Sequence, residues 1–190
     1  MDTIKTNFKW NGELKKRTST EFEIVHHAKS IECTVEDIHK WHLDRGWLGI
    51  GYNWFINKKG EEYEGRPEWA SDADAQGYNK NSLSICLEGN FEVETLGEVQ
   101  REALIKRMVK NRLKYPHIKS MRHKDVNKTK CPGEIGWIEI LAEVENRIRD
   151  IKKQKESVDI VDKLEQKVKD LDSKVTRILR YLDGQGVRIR

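Results

Sequence analysis

The chain has 190 residues, 36% of them charged, with a net charge of +4, three cysteines and a mean hydropathy of −0.81. That is room for one domain and an appendage, and it contains no apolar run of the roughly 18 residues a membrane helix needs. Three widely spaced cysteines (Cys33, Cys86 and Cys131) exclude a disulfide framework. From Ile151 onward 11 basic residues face 7 acidic ones, so the tail carries the whole charge excess. Those charges are interleaved, which argues for a solvated helix face and against nucleic acid as a partner.

In chain order, Asn11-Gly12 after Phe8-Lys9-Trp10 predicts a short hairpin within residues 4–17. Phe22 to His27 predicts a buried strand ending in paired histidines. Thr34 then caps a helix, with Asp37 at its third position and Gly46 closing it; Val35, Ile38, Trp41 and His42 form its inner face. Strands are expected at Tyr52–Asn57 and Glu61–Glu64, joined by a turn at Lys58-Lys59-Gly60. Asp72 to Asn81 reads as a groove-lining loop and Ser82 to Leu87 as another buried strand. A helix from about Leu96 to Lys114 is stopped by Tyr115-Pro116. Trp137, Leu141, Val144, Ile148 and Ile151 step along a further helix. The order of elements gives an α/β fold, a central mixed β-sheet flanked by helices.

The expected domains are 1–151 for the body, a polar hinge at 152–157, and an amphipathic C-terminal helix and tail at 158–190. In that tail Val161, Leu164, Val168, Leu171, Val175, Ile178 and Leu182 alternate three and four apart. This is a coiled-coil seam that predicts a parallel homodimer, the alternatives being a helix folded onto its own domain and an element that binds wall polymers.

Three residues carry the chemistry. His26 at the end of a strand, His123, and Cys131 followed by Pro132-Gly133 offer two imidazoles and a thiolate. Such a set leaves the fourth tetrahedral position of Zn²⁺ open, as catalytic rather than structural sites do, and points to a hydrolase. His27 is not expected to join them, since neighbouring side chains on a strand face opposite ways. His39 and His42 are expected to pack or to support the site from behind, and Cys86 to be core. Asp125 is expected to brace its loop or a ligand histidine.

Further landmarks surround these residues: Trp41-His42; Gly46-Trp47-Leu48-Gly49-Ile50-Gly51-Tyr52-Asn53; Glu64-Gly65-Arg66-Pro67; Gly77-Tyr78-Asn79; and Asn81-Ser82 leading to Glu88-Gly89-Asn90. In this order they resemble the zinc-dependent N-acetylmuramoyl-L-alanine amidase type 2 family, which includes phage endolysins and peptidoglycan recognition proteins. The resemblance spans roughly residues 20 to 150. It implies Zn²⁺ as cofactor, His26, His123 and Cys131 as its ligands, and Tyr52 as a catalytic phenol. Arg66, Asn79 and Trp69 are expected to contact substrate, Trp69 and Trp10 being the tryptophans free to face a glycan, whereas Trp41, Trp47 and Trp54 read as core.

The chain also departs from that pattern. Thr129 stands where some members have Lys and is expected to assist catalysis, Lys130 one residue later being the alternative. Cys86 stands where others have a general-base Glu, and Asp74 where members often have His.

The function implied is a peptidoglycan hydrolase cutting the amide between the lactyl group of N-acetylmuramic acid and L-alanine, as a phage or prophage endolysin does. The alternatives are a non-catalytic muropeptide-binding module and a cytoplasmic recycling amidase. Met1-Asp2-Thr3-Ile4-Lys5 does not read as a signal peptide. The expectation is therefore synthesis in a reducing cytoplasm and release to the wall through a holin-type pore.

Overall fold

A computed structural model describes residues 2–184, so the last six residues of the predicted tail lie outside the described part. Two compact units are present, Met1–Asn146 and Arg147–Arg190. The first is built on five strands: β1 (Phe22–His27), β2 (Trp54–Ile56), β3 (Glu62–Glu64), β4 (Ser82–Leu87) and β5 (Lys119–Arg122). Their order in the sheet is β3-β2-β4-β1-β5. The pairs β2–β4, β4–β1 and β1–β5 are parallel, and β2–β3 is antiparallel. The expected α/β fold with a mixed central sheet is what the chain forms.

Helices cover both faces. Helix α1 (Val35–Asp44) starts at Thr34, whose hydroxyl accepts the Asp37 N–H while the Asp37 carboxylate accepts the Thr34 N–H. Its Val35 and Ile38 pack with Phe55 and Cys86 of the sheet. Helix α2 (Glu98–Lys114) lies on the opposite face. There Asn111 Nδ2 donates to Glu23 (2.9 Å) and Arg107 Nε to Glu62 (2.6 Å), while Leu104, Ile105 and Met108 are fully buried. Glu23 also accepts from Ser120 Oγ at 2.5 Å, directly across the β1–β5 ladder. The buried acid thus ties its strand to a neighbouring strand and to a helix at once, and each of its bonds offsets part of the cost of burying a carboxylate.

The N-terminal segment is not a hairpin. Ile4 bridges Tyr63, Lys16 bridges Ala70, and the Asn11 N–H donates to Leu48 O at 3.0 Å. The segment extends the sheet edge and wraps the body because partners far along the chain satisfy its backbone groups better than its own two halves do.

Helix α3 (His123–Val126) is a single turn directly after β5, and α4 runs Trp137–Gly184. Ile140 and Val144 are its fully buried residues. Residues 152–157, expected as a hinge, are helical. The run Lys-Lys-Gln-Lys-Glu-Ser is polar, but it holds neither Gly nor Pro and most of its members are good helix formers. In the second unit Val161, Leu164, Val168, Leu171, Val175 and Ile178 are all more than half exposed. No helix among the described residues is long and apolar enough to cross a membrane.

Candidate active site

Parallel register brings the histidines together. Val25 of β1 pairs with Arg122 of β5, so the next residues out of the ladder, His26 and His123, emerge side by side at the carboxyl ends of the two strands. Their ring centroids are 4.5 Å apart. Ends of parallel strands are where α/β sheets place ligands. His26 is also the register partner of Cys86, on the α1 face of the sheet.

Cys131 arrives on a loop closed by the Lys124 N–H donating to Cys131 O at 2.7 Å. Behind it Gly133 has φ +85, and a Cβ there would meet the Phe91 carbonyl carbon and oxygen at 2.3 Å. Only glycine permits this approach, which holds the cysteine loop against the chain after β4. The sulfur accepts the backbone N–H of His27 at 3.4 Å and lies 3.8 Å from Nδ1 of His26.

Donor atoms of His26, His123 and Cys131 lie within 4.8 Å of one another, the only such group of three among the described residues. Burial pulls His26 down to about 3 and His123 to about 4, the neighbouring His26 adding to the shift of His123, so both rings are neutral at pH 7, the form that binds metal. Burial pushes the Cys131 thiol up to about 12, so this sulfur becomes a thiolate only under a strong positive charge. Two neutral imidazoles and such a thiol in reach of one point fit a zinc ion. Nε2 of His123 lies 3.2 Å from Asn127 Oδ1, whose amide in turn donates to Gln76 O.

Tyr52 sits over this cluster, its ring 5.0 Å from that of His26 and 5.5 Å from that of His42. Burial, with Cys86, Cys131 and Asp74 nearby, raises its phenol well above the usual range, so it remains a hydrogen-bond donor. Thr129 is exposed, and its hydroxyl accepts the Cys131 N–H at 3.2 Å, bracing the loop. Lys130 is also exposed, 4.0 Å from Glu92.

A groove of about 810 Å³ opens beside the cluster, walled by Trp47, Leu48, Asp74, Asn79, His123 and Thr129 among others. Trp47, read from sequence as core, is 38% exposed and faces this groove. Gly46 at φ +79 ends α1 and turns the chain so that the indole projects outward. Asn79 lines the groove too, its Oδ1 accepting the N–H groups of Asp74 and Ala75. Arg66 reaches the groove wall but is only 4% exposed, with Nε donating to Ile50 O and Nη1 to Ser71 O. Trp69 is 54% exposed and does not border the groove. Trp10, expected to be free, packs edge-on against His39 beneath the Arg66 guanidinium.

The remaining polar residues are accounted for locally. His39 and His42 accept the N–H groups of Ile50 and Gly51 through Nδ1, so both serve packing. Nδ1 of His27 accepts the Phe91 N–H. Asp125 pairs with Arg122 through three bonds and braces the loop, not a ligand. Cys86 is fully buried, as expected of a core residue.

A profile of N-acetylmuramoyl-L-alanine amidases matches residues 16–134. The chain belongs to this amidase family. The endolysin of Enterobacteria phage T3 is 32% identical over 64% of this chain and 85% of its own length. Peptidoglycan-recognition protein SC2 of Drosophila melanogaster is 30% identical over 73% of this chain and 84% of its own. Among solved structures, the N-acetylmuramoyl-L-alanine amidase LysC from Clostridium intestinale URNW superposes with a TM-score of 0.74 at 34% identity, over 76% of this chain and 98% of that one. In this amidase the matched region holds both histidines, Cys131 and Tyr52, while α4 lies beyond it.

Proposed function

We propose that the protein is a peptidoglycan hydrolase, a zinc-dependent amidase that cuts between the lactyl group of N-acetylmuramic acid and L-alanine. The observation that carries this reading is the convergence of His26, His123 and Cys131 beside a groove that His123 lines, in a chain of the amidase family. When bound, zinc supplies Lewis acidity toward the scissile carbonyl and a nucleophile at neutral pH.

The chain's own residues do the rest. His26, His123 and Cys131 would hold the ion beside the groove that His123 lines. Tyr52, kept protonated by burial, donates to the oxygen that gains negative charge as the carbonyl is attacked. Thr129 keeps the Cys131 loop in place and offers its hydroxyl at the groove wall. Neither Lys nor Glu occupies the positions where some relatives have a charged catalytic group, so proton transfer falls to Tyr52 and solvent. The glycan and stem peptide lie along the groove against Trp47 and Asn79, with the Arg66 guanidinium stiffening its floor. Trp69, exposed outside the groove, contacts glycan farther along the strand.

Similarity to the phage T3 endolysin favours host-wall lysis as the biological setting, the enzyme reaching the wall through a membrane pore. The exposed a/d stripe from Val161 to Ile178 supports pairing with a second copy as a parallel coiled coil. Turnover of purified murein, abolished by chelator and restored by zinc, tests the enzyme. A folded, zinc-loaded chain that binds murein and releases no L-alanine-ended peptide would establish a recognition module instead.

A further inference from the structure

Resting on that reading, we propose that Asp74 is a positioning residue for His26: its carboxylate holds Nε2 of the ring, so that Nδ1 is the atom presented to the ion. Nε2 of His26 lies 2.6 Å from Oδ2 of Asp74, both side chains essentially inaccessible to water. The contact is close, but it lacks the alignment of a full hydrogen bond. Neither Nε2 nor either Asp74 oxygen makes an aligned hydrogen bond elsewhere. On the far side of the same ring, Nδ1 faces the Cys131 sulfur at 3.8 Å. One imidazole therefore has a carboxylate at one nitrogen and the metal donors at the other. A metal on Nδ1 requires the proton on Nε2, and a carboxylate there stabilises that tautomer while making the ring a better donor.

The surroundings fix the carboxylate. Gly51 lets the Ala73 backbone approach so closely that a Cβ would meet Ala73 O at 2.3 Å, and the Ala73 N–H donates to Gly51 O. Asn79 Oδ1 holds the Asp74 and Ala75 N–H groups. Arg66, buried beside Asp72 and Asp74, favours the ionised form of Asp74 against the burial that opposes it. The loop from Asp72 to Asn79 is built to hold one carboxylate against one ligand. Asp125 makes no such contact with His123; that ring leans on the neutral Asn127. The two imidazoles thus have unlike supports, one anionic and one neutral.

The test compares wild type with D74L, which removes the acceptor but keeps its bulk, and D74N, which keeps a neutral acceptor. Zinc affinity is read by competition with a chromophoric chelator at pH 8, and the His26 tautomer by ¹⁵N NMR of the metal-free chain. D74L is expected to weaken zinc binding about 10–100-fold and to lose the Nε2–H preference, with D74N in between. If D74L does not fold, D74N alone decides: a several-fold weaker affinity supports the proposal, and wild-type affinity overturns it. Wild-type affinity and tautomer in folded D74L overturn it while leaving the zinc reading intact. A wild-type chain that binds no zinc removes both, so the two failures are distinguishable.

Discussion

The first compact unit and the second use the same apolar residue types to opposite ends. Up to Asn146, Ile, Val and Leu side chains are buried around a sheet, and polar groups trapped with them are paired: Glu23 with Ser120 and Asn111, Glu62 with Arg107. Past Val158 the helix displays its Val, Leu and Ile to solvent. The apolar pattern is periodic in both. Periodicity therefore says which face of a helix is apolar, and not whether the same chain provides its cover.

The comparison breaks most sharply at the ligand set. Cys131→Ser is expected to lose zinc on dialysis and to bring murein turnover to background, yet to leave the α4 stripe and its association unchanged. Zinc analysis and a turbidity assay on sacculi check the first part, and light scattering the second. Tyr52→Phe is a smaller lesion: kcat should fall about 100-fold with zinc content unchanged, as for removing one donor to a developing oxyanion. Retained kcat would remove Tyr52 from the chemistry.

Next in size is Gly133→Ala. Its Cβ would collide with the Phe91 backbone at a positive φ, which should destabilise the first unit by about 2–3 kcal/mol, measured by urea unfolding. Of similar size is an effect of pH. Burial, with Arg45 adjacent, pulls His42 from 6.5 down to about 4. The unfolded chain then binds a proton that the folded one refuses, so stability is full above pH 6.5 and is lost as pH falls toward 4, by on the order of 3 kcal/mol. His42→Gln should flatten that slope in the metal-free protein; an unchanged slope would assign it to other groups. The smallest expected effect on the first unit is that of Leu171→Glu. Melting of that unit and turnover of soluble muropeptides should stay at wild-type levels while any dimer dissociates.

Much of the first unit was legible because local chemistry and tertiary structure agree there. Thr34 and Asp37 form the capping box their spacing announces, and β4, with Leu83, Ile85, Cys86 and Leu87 among its six residues, is buried along its whole length. His26, His123 and Cys131 could be picked out because their residue types are scarce and chemically specific. Strand β5 escaped detection because Lys-Ser-Met-Arg at a sheet edge carries no apolar signature. The hairpin expected at Asn11-Gly12 failed because the segment's backbone hydrogen bonds go to Leu48, Glu62, Glu64, Trp69 and Ser71, which no local pattern predicts. Trp47 was taken for core since an aromatic beside a helix end reads the same whether it points in or out. The role of Asp74 needed the Gly51 contact, a relation between segments that only the fold creates.

Glu23 finally bears on which of two adjacent histidines stands beside His123 and Cys131. Every residue of β1 after Phe22 is buried, so hydrophobic alternation does little to forbid a slip of one position. A slip would offer His27 where His26 belongs, with its ring turned away from Asp74. The acid three places upstream cannot slip without abandoning Ser120 and Asn111 together. One hidden carboxylate thus acts as an alignment peg, and which histidine joins His123 and Cys131 is decided at the opposite end of the strand from that cluster.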